Sequence, residues 1–167
     1  MKIFHILKKL GAFLLDVVEI YIPAVAFTIM FVVFVVQIFF RYFLNHPLTW
    51  PQEVTIFGFI WTAILGACFA KRHNVHVVFD LVYETRSPKT QLFMRMISNL
   101  FLAVAFAIAL KPSYEFVQFM AFQQSSVLRI PFNIAYFPYV VFTVVILGRT
   151  LYDLVTDLKI IFKGDVA

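Results

Sequence analysis

Charge is scarce in this chain. Asp, Glu, Lys and Arg make up 14% of its 167 residues, 62% are hydrophobic, and the mean hydropathy is +0.90. That composition excludes an ordinary soluble domain. Cys68 is the single cysteine, so an intrachain disulfide and a C-x-x-C redox pair are both ruled out, and with them thiol oxidoreductase chemistry. The histidines are few and misplaced for haem. His5, His46, His73 and His76 all fall in termini or gaps, and none lies in an apolar segment where it could face a partner. Walker, Ser-His-Asp and metal-hydrolase patterns are missing. Long polar stretches are missing as well: the longest gap between apolar segments is about 25 residues, too short for a soluble catalytic domain.

The chain instead offers four long apolar segments, at 20–40, 50–70, 96–122 and 130–148. Twenty-one residues of helix reach about 31 Å, enough to cross a hydrocarbon core. Eleven of the fourteen Lys and Arg residues lie before the first segment, between the second and third, or after the fourth. Only Arg41, Lys111 and Arg129 are assigned to the other side. Short loops rich in Lys and Arg stay cytoplasmic, so both termini are expected inside. The net charge of +5 is accounted for by this topology. Membrane lipids are therefore the expected partner of the basic residues, and nucleic acid is not.

Residues 1–19 share the basic start of a secretory signal, but Asp16 and Glu19 interrupt its apolar core, and the apolar run continues to full span length. They read better as an amphipathic helix, with Lys2, His5, Lys8, Lys9, Asp16 and Glu19 on one face, lying in the cytoplasmic interface. The expected organisation is an all-α membrane protein. It has an interfacial helix at 1–19, four transmembrane helices within 20–149 with both termini inside, and a cytoplasmic tail at 150–167 that forms a short helix on the membrane.

The span interiors carry no ionisable residue. Glu19, Arg41, Glu53, Arg129 and Arg149 fall at estimated span ends, and Lys111, with Glu115 one turn on, is expected at or beyond the outer interface of a long, tilted third helix, so the chain shows no transported-ion site of its own. Arg41 and Glu53 close the two ends of one short gap, either as a salt bridge or as two solvated rim charges. Thr49, Trp50 and Pro51 mark a helix start with an interfacial aromatic anchor. Gly58, Thr62, Gly66 and Ala70 recur every four residues, a packing seam that meets either the chain's own third or fourth helix or a different protein. His73, His76 and Asp80 share a helix face. They would form either a metal site or a basic helix end in which His76 bonds to backbone or to Asp80. Pro112 and Pro138 predict kinks in the third and fourth helices.

Taken in order, Gln37-x-x-x-Arg41, Pro47-Leu48-x-Trp50-x-x-Glu53, Trp61-x-x-x-Leu65-Gly66, Ala70 and His76-Val77-x-x-Asp80 form a pattern, joined later by Ile130-Pro131 and Tyr136-x-Pro138. This pattern resembles the small membrane subunit of tripartite ATP-independent periplasmic (TRAP) transporters, the DctQ-like family. It departs from the family at Gln52, where an acidic residue usually precedes Glu53. The resemblance implies a non-catalytic scaffold subunit in the bacterial inner membrane with no cofactor of its own. Its partners would be a large elevator-type membrane subunit carrying the substrate and sodium sites, and a periplasmic substrate-binding protein. The cargo would be an organic acid such as a dicarboxylate or sialic acid. On this reading Arg41, Trp50, Glu53, Gly58, Gly66, His76, Asp80 and Arg129 serve contact and orientation. The alternative is an autonomous four-helix transporter acting as a homodimer. A membrane-embedded enzyme lacks any nucleophile, redox pair or ligand set here.

Overall fold

The computed structural model describes residues 9–11, 13–72 and 88–163. Among these, four helices are long and apolar enough to cross a membrane. They are α1, Ile22–Tyr42; α2, Trp50–Arg72; α3, Pro88–Phe119; and α4, Phe132–Lys163. The described residues contain no strand. The chain is a multi-pass membrane protein, as its four apolar segments require.

Helix α1 is entered through a π-helical turn, Val17–Tyr21, and the helical run reaches back to Lys9. The widened turn has a local cause. Pro23 has no N–H to give the Glu19 carbonyl and its ring crowds that group, so the preceding turn loosens and Ile22 N–H donates to the Val17 carbonyl instead. Asp16 therefore passes into α1 without a break. Residues 1–8, where the rest of the expected interfacial helix falls, lie outside the described residues. At its other end α1 stops when Asn45 takes a left-handed conformation (φ 54°), which Asn tolerates better than most residues. This folds His46 N–H back onto the Phe40 carbonyl at 3.0 Å.

Both internal prolines are carried inside continuous helices, Pro112 in α3 and Pro138 in α4. Beside Pro112, Ser113 Oγ donates to the Ala109 carbonyl, and below Pro138, Thr143 Oγ1 donates to the Tyr139 carbonyl at 2.8 Å. These hydroxyls are thereby satisfied within their own helices, where no water is available. Helix α4 also runs well past Arg149. The residues expected to form a separate helix on the membrane instead continue the fourth helix to Lys163.

Extensive packing joins α1 to α2, α2 to α4 and α4 to α3, so the helices stand in an open row ordered α1, α2, α4, α3. In such a row most side chains face outward. Only 6% of the α1 span is buried within the chain, against 28% of the more central α4 span. The small interior is built from Leu65 and Cys68 on α2, Ala103 and Val117 on α3, and Ala135 and Ile146 on α4. Edge-to-face aromatic pairs reinforce the α3–α4 contact, Phe106 with Phe142 and Phe116 with Tyr136, each with centroids 5.7 Å apart.

Candidate functional site

Two polar constructions brace the row, one at each end of the helices. At the end where α1 begins and α2 finishes, the Glu19 carboxylate is fully buried and accepts from the guanidiniums of both Arg149 and Arg72. Arg72 also pairs with Asp16. The cluster of two carboxylates and two guanidiniums links the turn that enters α1 to the end of α2 and the middle of α4. Cys68, fully buried, lies one turn before Arg72 on α2. A second clamp joins α3 to α4, with both nitrogens of an Arg95 fork engaging the two oxygens of Asp157. Asp157 is 3% exposed. Burying a carboxylate in a membrane protein is tolerable only when it is paired and hydrogen-bonded in this way.

The expectation that the helices carry no buried charge is therefore corrected: Glu19 and Asp157 are buried. Their neutralising partners lie 53 to 130 residues away in sequence, so local pattern assigned them to solvated span ends. A signal was present. The side rich in Lys and Arg also collects Asp16, Glu19 and Asp157, and acidic residues among cations at one depth are candidates for pairing.

At the opposite end, Glu53 in the first turn of α2 accepts from the backbone N–H groups of Val127 (2.8 Å) and Leu128 (2.9 Å). The loop it holds is closed on itself. Ser125 N–H donates to the Ile130 carbonyl, Ile130 N–H donates to Ser125 Oγ, and Phe132 N–H donates to the Gln123 carbonyl. Arg129 turns this loop in a left-handed conformation (φ 52°) and projects outward. Of the two alternatives for Arg41 and Glu53, the salt bridge does not form. Glu53 is taken by the loop backbone, and Arg41, exposed, lies 5.9 Å from the ring centre of Tyr42. Trp50 stands at the same end, 36% exposed.

The first half of the small-residue seam on α2, Gly58 and Thr62, meets α1 and not the third or fourth helix. A Cβ on Gly58 would come within 2.8 Å of Met30 Cβ and 3.3 Å of the Ala26 carbonyl, and Thr62 Oγ1 donates to the Pro23 carbonyl at 3.4 Å. This part of the seam therefore packs on α1, the neighbour joined to α2 by the short 43–49 turn. Gly66 belongs to a different environment, with nothing within 4 Å of an added Cβ. His76 and Asp80 lie outside the described residues, as does His73. Among the described residues no group of three or more His, Cys, Asp or Glu side chains could hold a metal. The structure thus gathers Glu53 with the loop that carries Arg129, and Gly58 with α1. It does not gather the predicted residues into one site.

Two comparisons with known proteins bear on this arrangement. The sequence profile of the DctQ component of tripartite ATP-independent periplasmic transporters matches residues 30–160. A protein of Haemophilus influenzae provisionally named a TRAP transporter small permease protein is 22% identical over 160 residues, which cover 96% of this chain and 99% of that protein. The profile takes in α1 from its middle, all of α2, α3 and the 123–131 loop, and α4 almost to its end. The chain belongs to the DctQ component family of tripartite ATP-independent periplasmic transporters.

Proposed function

We propose that this chain is the scaffold subunit of a secondary transporter in a bacterial inner membrane, without chemistry or a solute pathway of its own. It stands with both termini in the cytoplasm, so that the Glu19 cluster faces inward and the Glu53 loop faces the periplasm. Its partners are a large membrane subunit, which binds and moves the cargo in elevator fashion with sodium as the coupling ion, and a periplasmic substrate-binding protein. The cargo is an organic acid of the dicarboxylate or sialic acid kind. The observation that carries this reading is the open row. Its helices leave most of their apolar surface unburied within the chain, as a part built to lie against a larger body would, while its polar groups rivet the row at both ends.

The buried Glu19 supports the same reading. A carboxylate that carries a proton or an ion through a cycle must change its charge state or its partner, whereas Glu19 is held by two guanidiniums and serves as a fixed strut. The 123–131 loop, pinned by Glu53 and presenting Arg129, is the surface offered to the periplasmic protein. The test is expression with the large subunit. The two should co-purify, and deleting this chain should abolish uptake of one organic acid. Full uptake without it would refute the assignment.

A further inference from the structure

The subunit reading does not say which face of the row meets the large subunit. We infer that it is the face of α4 running from Asn133 to Leu158, and that the large subunit lays a transmembrane helix along it. This inference rests on the subunit reading above. On α4 the buried residues Ala135, Pro138, Thr143, Ile146 and Thr150 define one side. Directly opposite, at intervals of three, four or seven residues, stand Ile134, Phe137, Val144, Leu151, Val155 and Leu158, each between 43% and 53% exposed. These intervals are those of a seam between two nearly parallel helices, in which one knob row stays facing its partner along the whole length.

Two further features distinguish this face from one meant only for lipid. Gly148 lies in the seam at the step between Val144 and Leu151, and a Cβ there would meet nothing within 4 Å. The notch is therefore open to a bulky side chain of an approaching helix, the small-residue device of helix contacts in lipid. At the head of the seam, Asn133 Oδ1 is buried without a hydrogen-bond partner among the described residues. It borders a cavity of about 180 Å³ that Trp61 of α2, Val117 of α3, Ile134 and Phe137 also line. Of those neighbours only Trp61 carries a donor, its indole N–H, and it makes no bond to Oδ1, so the orphaned oxygen is open to a donor from outside this chain. An acyl chain has no donor to offer. A helix carrying one Ser, Thr, Asn or Gln side chain at the level of Asn133, and a large apolar side chain at the level of Gly148, satisfies both features together.

The experiment is site-directed photocrosslinking in the assembled complex, with benzoylphenylalanine placed singly at Val144, Leu151 or Val155, and at Val32 or Val35 on the outward side of α1 as controls. The expected result is an adduct of this chain with the large subunit from the three α4 positions and not from the α1 positions. In parallel, Gly148→Leu and Asn133→Leu should each lower recovery of the large subunit about tenfold, as loss of a central anchor does. The isolated Gly148→Leu chain should keep its thermal midpoint, since the added side chain meets nothing within it. Adducts the size of two copies of this chain, or lipid adducts alone, from a complex that still co-purifies would overturn the assignment of this face while sparing the subunit reading. If the unaltered chain failed to co-purify with the large subunit at all, both would fall.

Discussion

Replacing Glu19 by Gln should unfasten the row. The carboxylate has 0% of its side-chain surface exposed and accepts from Arg149 and Arg72. Glutamine keeps the shape but removes the charge, leaving two guanidiniums without the anion that neutralised them. Removing one partner of a buried pair costs roughly 3–5 kcal/mol. Arg149 and Arg72 retain 24% and 33% exposure and Arg72 keeps Asp16, so the lower figure, about 3 kcal/mol, is the relevant one. At roughly 2–4 °C per kcal/mol for a chain of this size, the midpoint should fall by about 6–12 °C. Cys68, the sole cysteine and fully buried, is the reporter: a thiol-reactive dye labels it only once the helices part, so a thermal ramp in nanodiscs reads the midpoint directly. Arg149→Met should cost a similar amount, and the double variant Glu19→Gln with Arg149→Met should recover part of the loss, giving a coupling of about 1.5 kcal/mol or more. Asp16→Asn, at a half-exposed pair, should move the midpoint by no more than about 1 kcal/mol allows. A Glu19→Gln midpoint within about 2 °C of the unaltered chain, or strictly additive single effects, would refute the reasoning.

Gly58→Leu should force α1 off α2, because even its Cβ would stand 2.8 Å from Met30 Cβ. The expected loss is about 1–3 kcal/mol in the same assay, with Gly66→Ala near neutral as the matched control. Glu53→Ala should orphan the N–H groups of Val127 and Leu128, seen as faster amide exchange at those two residues, whereas Arg41→Glu should leave them protected. Asp157→Asn should loosen α3 from the end of α4, and the exchange Arg95→Asp with Asp157→Arg should restore part of the stability; no restoration would show that Arg95 has other, more important partners. Cytoplasmic reporters fused at either terminus should be active, and the same reporters inserted at 125–128 should not be, which tests the proposed orientation.

Helix existence was legible in the sequence because charge interrupts each apolar run. Glu19 and Arg41 bracket the first span and Glu53 and Lys71 the second, and α1 and α2 begin and end within two residues of the expected bounds. The same rule failed for α4. Arg149 read as the end of the span and Asp157 as part of a separate tail, because a lone charge is expensive in lipid, yet Arg149 has Glu19 and Asp157 has Arg95 for company, and the helix simply continues. Pairing was illegible for the same reason in reverse. Arg41 and Glu53 are near neighbours in sequence and opposite in sign, but the partners Glu53 takes are backbone groups 74 and 75 residues away. The α2 seam was visible as a period of four, while the identity of the helix it meets depends on chain order in space, which periodicity does not encode. Family membership was legible earliest, since it rests on the order of small motifs and not on any contact.

The central claim is that this chain holds a transporter together and transports nothing itself. Liposomes with an inward sodium gradient and the periplasmic receptor outside should accumulate labelled organic acid only when the large subunit and this chain are both present, and none when this chain is reconstituted alone. Accumulation by vesicles containing this chain as their only membrane protein would contradict the account.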